Sequence, residues 1–241
     1  VFYGDFRSFS DYDPQHDARV HLLEVGGEGS FTAYDAFTTA LDAGWHLAPS
    51  NNQNNHNGNW GDAGQVRTVV LAEELTESAI YDAVRHYRVY ATEDRDLKIL
   101  YRVNGRIMGS VMGDAPALTA EILVEDGSGD AVGRVEVVTD GGTVASFLTT
   151  TEYRGEYTLA LPTGGSYYYL RILRDGEIAA VTAPVWVDRY EDLGIADLTA
   201  DVEKPEQGTE TVLTLSLFNS ESIPFVVESV TFSVGSQVIE T

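Results

Sequence analysis

From residue 97 onward, apolar and polar positions alternate with a period of two, and the pattern is cut at short intervals by glycine-containing turns. Alternation of this kind predicts half-buried strands at 97–103, 106–112, 117–125, 132–138, 143–149, 153–161, 166–174 and 177–187. The first two flank Asn104-Gly105, the two-residue signal of a tight hairpin. Many short strands with regular turns argue for an antiparallel β-sandwich over 93–188.

Before residue 93 the period is mixed. Tyr34, Phe37 and Leu41 fall on one stripe and predict a helix over 32–43, opened by Thr32 with Asp35 three residues on and closed by Gly44. A second helix is expected from Thr76 to about His86, with Ala79, Ile80, Ala83 and Val84 inward. Apolar runs at 20–25, 45–49, 67–72 and 88–92 read as strands, and three consecutive tyrosines, Tyr167 to Tyr169, must alternate across theirs. Strands alternating with helices over 1–92 are α/β patterning. After a linker at 189–194, strands at 195–203, 211–219 and 226–234 predict an incomplete Ig-like sandwich over 189–241. Its open edge would be completed by strand donation from the rest of a precursor or from a neighbouring copy.

Charge narrows the partners. The chain of 241 residues has a formal net charge of −23, and the segments 1–92, 93–188 and 189–241 carry −8, −7 and −8 of it. Acidity spread this evenly repels nucleic acid phosphates and anionic lipid, so no nucleic-acid partner is expected. No apolar run approaches the roughly 20 residues that span a bilayer, so no membrane insertion is expected. There is no cysteine, which excludes disulfides and thiolate metal sites.

The richest chemistry lies between the second and third expected strands. The stretch from Gly44 runs Trp-His-Leu-Ala-Pro-Ser-Asn-Asn-Gln-Asn-Asn-His56-Asn-Gly-Asn-Trp60-Gly, with six asparagines at 51, 52, 54, 55, 57 and 59. Their amide oxygens suit a sugar or calcium, and they equally satisfy backbone groups in a tight loop. His16, His21 and His86 read as surface residues, and His46 as packed or partly exposed rather than a ligand. Asp126, Asp130 and Asp140 fall in turns and are candidate calcium ligands, without the spacing of an EF-hand.

Together with Arg67-Thr-Val-Val-Leu-Ala, Leu75-Thr-Glu-Ser-Ala-Ile-Tyr-Asp-Ala-Val, Arg88-Val-Tyr-Ala-Thr-Glu-Asp and the hairpin from Asn104 to Ser110, this stretch resembles the last strands and helices of the PHP family of metallohydrolases, in its secreted CehA/McbA-type branch. The resemblance covers roughly residues 20–112. It implies an α+β multidomain chain: the C-terminal part of a PHP-type α/β barrel over 1–92, then the sandwich, then the incomplete Ig-like domain. It also implies a metal-dependent phosphoesterase using zinc, manganese or iron, located outside the cell or on its surface. The family's Asp-x-His ligand pair falls on Asn54-Asn55-His56, so His56 matches and Asn54 is a neutral, weaker ligand. Glu24 is a third candidate ligand. No His-x-His occurs in the chain. The expectation is therefore a C-terminal fragment of a larger extracytoplasmic enzyme, inactive as this chain alone. The alternative is a non-catalytic extracellular structural or assembly protein, such as a surface or filament subunit.

Overall fold

The computed structural model describes residues 9, 12–26, 31–188, 193–200, 212–219, 232–234 and 237–239. A single helical turn, α1 (Pro14–Asp17), precedes β1 (Leu22–Glu24), α2 (Tyr34–Asp42), β2 (Ala48–Ser50), β3 (Arg67–Val70), α3 (Glu77–Arg85) and β4 (Val89–Thr92). Strands then follow one another: β5 (Leu97–Val103), β6 (Arg106–Ile107), β7 (Val111–Gly113), β8 (Leu118–Asp126), β9 (Gly133–Thr139), β10 (Thr143–Thr150), β11 (Arg154–Leu161), β12 (Tyr167–Arg174), β13 (Glu177–Thr182) and β14 (Val185–Asp188). Last come β15 (Leu193–Ala200), β16 (Leu213–Asn219), β17 (Phe232–Val234) and β18 (Gln237–Ile239). The chain divides into two compact units, Val1–Arg189 and Tyr190–Thr241.

In the first unit an eight-stranded sheet runs β10-β9-β12-β13-β4-β3, with β14 attached to β12 and β7 to β14, and faces a four-stranded sheet ordered β11-β8-β5-β6. Period-two burial fixes the facing sides. Leu97, Ile99, Tyr101 and Val103 of β5, with Leu118, Ala120, Ile122 and Val124 of β8, meet Val135 and Val137 of β9 and Tyr168, Leu170 and Ile172 of β12. Two buried phenols join the layers: Tyr90 donates to the Leu97 carbonyl at 2.8 Å and Tyr101 to that of Tyr168 at 3.2 Å. Burial pushes the Tyr90 phenol up to about 12, so neither sheet contact ionises at ordinary pH.

The opposite face of the large sheet is covered by α2. Tyr34, Phe37, Ala40 and Leu41 pack on Ala91, Val138, Tyr167, Tyr169 and Val181. The tyrosine run thus splits as expected, Tyr167 and Tyr169 toward the helix and Tyr168 toward the other sheet. The helix stops where Gly44 takes φ +97, with the Gly44 and Trp45 N–H groups bonded back to the carbonyls of Leu41 and Ala40 at 3.0 and 3.1 Å. This is a Schellman closure. Its start corrects the sequence reading: Ala33, not Thr32, is the N-cap, and it makes no side-chain cap bond. Thr76 does cap α3, accepting from Ala79 N–H at 3.4 Å. Asn104 and Gly105 both take positive φ, at 47 and 79, as the tight hairpin turn demands.

The expected portion of a PHP-type α/β barrel is not what forms. A barrel wall of that type is made of adjacent parallel strands, each followed by a helix. Here β1 and β2 are a separate parallel pair, whereas β3 and β4 are antiparallel, and β4 continues antiparallel into β13. β3 and β4 are therefore part of the sandwich sheet. The molecule is mostly β, built from several sheets. The reason is edge satisfaction: the short, apolar run of β4 finds backbone partners in β13, 85 or more residues away in the chain, which no local pattern encodes.

In the second unit β15 pairs with β16, and β17 with β18, both antiparallel. Of the strands expected at 195–203, 211–219 and 226–234, residues 201–203, 211 and 226–231 lie outside the described residues, as do 189–192 of the expected linker. No helix among the described residues is long and apolar enough to cross a membrane.

Candidate functional site

The parallel pair β1–β2 places Leu22 opposite Ala48 and Glu24 opposite Ser50. Chain direction then brings both C-terminal ends to one side, and the asparagine-rich loop, 51–66, leaves from there to reach edge strand β3. Thr68 of β3 anchors its start: the Oγ1 accepts from Asn51 N–H at 2.9 Å and donates to the Asn51 carbonyl at 2.7 Å. Arg67 anchors its end by donating to the carbonyls of Gly61, Gly64 and Val66. The guanidinium is thus turned into the loop's own backbone.

Between the anchors the loop is stiffened by its own amides. Asn52 Oδ1 accepts from Asn54 N–H at 2.6 Å, and Asn55 Oδ1 from Asn57 N–H at 2.9 Å, two Asx turns. Asn55 Nδ2 donates to Asn59 Oδ1 at 3.0 Å and Gln53 Nε2 to the Gly64 carbonyl at 3.0 Å. Asn54 sits at φ 46, which asparagine tolerates better than most side chains.

Two clefts flank this loop and share Gln53, Asn54, Asn55, His56 and Val66. The larger, about 650 Å³, adds Asn57, Gln65 and Glu93. Burial, and then the neighbouring charge of Glu177, raise the Glu93 carboxyl above its ordinary range. The smaller, about 430 Å³, adds Asn51, Asn52, Trp60 and Thr68. Asn51 is 2% exposed, and both atoms of its amide lack a hydrogen-bond partner. Gln53 Oε1 is likewise buried and unpaired. Trp60 is 77% exposed.

Of the residues singled out from sequence, His56 and Asn54 are brought together on the exposed rim shared by both clefts. Glu24 lines neither cleft; its strand position pairs it with Ser50 at the base of the loop. His46 is a packing residue: its N–H donates to Asp17 Oδ1 at 2.7 Å, its Nδ1 meets Oδ2 at 2.9 Å, and its ring lies 4.8 Å from that of Trp186. His16 and His86 are exposed, but His21 is half-buried edge-on to Tyr87 at 5.5 Å, against the expectation of a surface residue. Sequence reasoning did not single out Asn51 from its neighbours, nor Glu93, whose place is set by the distant pairing of β4 with β13.

Among the described residues no three His, Asp or Glu side chains form a group that could hold a metal ion. The two clefts are lined mainly by amides, with the His56 imidazole, the Trp60 indole and the Glu93 carboxyl. That chemistry donates and accepts hydrogen bonds and offers a flat apolar face.

No family model matches the chain, and no solved structure matches it. A protein of Chlamydia muridarum (strain MoPn / Nigg), described as an uncharacterized protein, is 24% identical over 138 residues, covering 50% of this chain and 22% of the relative. The chain thus spans less than a quarter of that curated relative's length.

Proposed function

We propose that this chain is a non-catalytic extracellular module whose loop 51–66 receives an uncharged, hydrogen-bonding ligand. The observation behind the reading is the character of the two clefts: neutral amides dominate their lining, with His56 and Glu93 the titratable side chains beside the backbone-bound Arg67. Amides discriminate by hydrogen-bond geometry and offer neither a nucleophile nor a strong acid or base. The net charge of −23 works in the same direction by turning anionic ligands away. An extracellular or surface setting agrees with the uniform acidity. The outer edges of the β15–β16 and β17–β18 pairs, which have no neighbouring strand among the described residues, are the proposed contact with the rest of a precursor or with neighbouring copies.

The experiment is a ligand screen of the intact chain by two-dimensional NMR, with uncharged oligosaccharides and uncharged peptides as probes. Shifts confined to residues 51–66 and Glu93 are expected. A screen in which neither class moves the loop contradicts the reading.

One observation favours a second reading, phosphoester hydrolysis by a longer protein that includes this segment. The parallel ends of β1 and β2 present Glu24 and Ser50 at the base of the loop that carries His56, and groups at the C-terminal ends of parallel strands are a common catalytic arrangement. Manganese- or zinc-dependent turnover of a phosphomonoester by the longer protein, abolished by His56→Ala, is its signature. Turnover unchanged by that substitution would remove His56 from the reaction.

A further inference from the structure

Asn51 is the anomaly of the loop. Its neighbours Asn52 and Asn55 close Asx turns and Asn59 accepts from Asn55, so each has a structural task. Asn51 lies deeper than any of them, at 2% exposure, with neither Oδ1 nor Nδ2 bonded. Buried amides are almost always paired, because an unpaired one forfeits its hydration with nothing in return. Gln53 Oε1, in the same cleft wall, repeats the pattern. A surface selected only for stability would place an apolar side chain at position 51.

The second independent feature is Trp60. An indole 77% exposed on the wall of the same 430 Å³ cleft has a free apolar face. Thr68 and Arg67 hold the backbone at the cleft's two ends.

We infer that the cleft between Asn51 and Trp60 is a binding subsite for an uncharged saccharide, with Asn51 and Gln53 hydrogen-bonding its hydroxyls and Trp60 stacking on its ring. The inference rests on the binding-module reading and names its ligand class. The chemistry is selective. A side-chain amide offers one donor and one acceptor side by side, which is the spacing of two vicinal hydroxyls, each able to donate and accept. A pyranose ring also carries an apolar face of C–H groups that suits an indole plane. A phosphorylated or uronic sugar brings charge that the clefts do not match and the protein's field repels. An uncharged peptide satisfies the amides, but covers the Trp60 face only where it carries a proline or aromatic side chain.

The test uses the intact chain with tetrasaccharides of glucose, mannose, galactose and N-acetylglucosamine as probes, read by Trp fluorescence and calorimetry, and a set of uncharged peptides as the competing class. At least one tetrasaccharide is expected to bind with a dissociation constant below about 1 mM. Trp60→Ala is expected to weaken it about tenfold or more, and Asn51→Leu at least as much, while the melting temperature of Asn51→Leu equals or exceeds that of the parent. Saccharide binding that survives both substitutions overturns the inference. So does an Asn51→Leu chain that melts earlier, since the amide would then be serving the fold. Binding of peptides alone overturns the saccharide assignment and leaves the binding-module reading standing, whereas silence toward both classes overturns both.

Discussion

A single hydroxyl, Thr68 Oγ1, holds both backbone groups of Asn51, taking its N–H at 2.9 Å and donating to its carbonyl at 2.7 Å. One edge-strand side chain thereby fixes where the loop begins and how its first amide is presented. Thr68→Val keeps the shape of the side chain and removes both bonds. The expected loss is about 1–3 kcal/mol for each group left unsatisfied. Thr68→Ser retains the hydroxyl and is expected to restore most of the stability. Urea denaturation of the two variants against the parent checks this.

The grip of α2 on the sheet rests on one ring above all. Phe37 is fully buried among Tyr169 and its neighbours, its ring 5.6 Å from that of Tyr169 and edge-on to it. Phe37→Ala leaves a cavity between two rigid layers and is expected to cost about 3–5 kcal/mol, visible as a fall in the denaturation midpoint with little change in slope.

Around the helix's first turn lies a polar network. Tyr34 and Tyr169 share a hydroxyl–hydroxyl bond of 2.5 Å, Arg171 donates to Tyr34 at 2.9 Å, and the same guanidinium grips Glu136 at 2.6 and 2.9 Å. Burial opposes ionisation of Glu136, but the bonds from Arg134 and Arg171 outweigh it and hold the carboxyl below its ordinary range. Arg171→Met leaves the buried Glu136 carboxylate with the Arg134 guanidinium, 2.6 Å away, and is expected to destabilise by about 2 kcal/mol, while Arg171→Met combined with Glu136→Met loses less than that single change.

A second network responds to acid. Asp126, buried at the end of β8, is held to about 2: burial pushes its carboxyl up, while bonding with Asp94, the Arg174 guanidinium and the N–H groups of Ser128 and Asp130 pull it down further. A carboxyl depressed in the folded state stabilises above its unfolded pKa, and that contribution is lost as pH falls through the folded value. Stability is therefore expected to decline between about pH 4 and pH 2. Arg174→Met should flatten that limb, measured by melting temperature against pH.

Much of this was legible where the signal is local. Thr76 capping α3, the stripe Tyr34–Phe37–Leu41 and the Asn104-Gly105 turn each need only a few neighbouring residues, and each formed. The direction in which Val89–Thr92 would pair was not legible. A four-residue buried run reads the same in a parallel or an antiparallel sheet, and only its contact with β13 decides. That ambiguity is why residues 1–92 resemble the end of an α/β barrel in sequence, whereas β3 and β4 extend the sandwich sheet. Gly109 shows the same join from the other side. Its φ of +90 lets the backbone of the hairpin approach the His86 and Tyr87 carbonyls, and an added Cβ would collide with them. The depth of Asn51 was hidden for a different reason: among six asparagines, burial depends on Thr68 of another strand.

The side-chain amide spectrum of the nitrogen-15-labelled chain, titrated with the tetrasaccharide that binds best, tests the central claim most directly. The account predicts that the Asn51 and Gln53 NH₂ pairs shift together, saturate with one stoichiometry and stay still in Trp60→Ala at the same concentration. Shifts elsewhere in the molecule with those two pairs unmoved would contradict it.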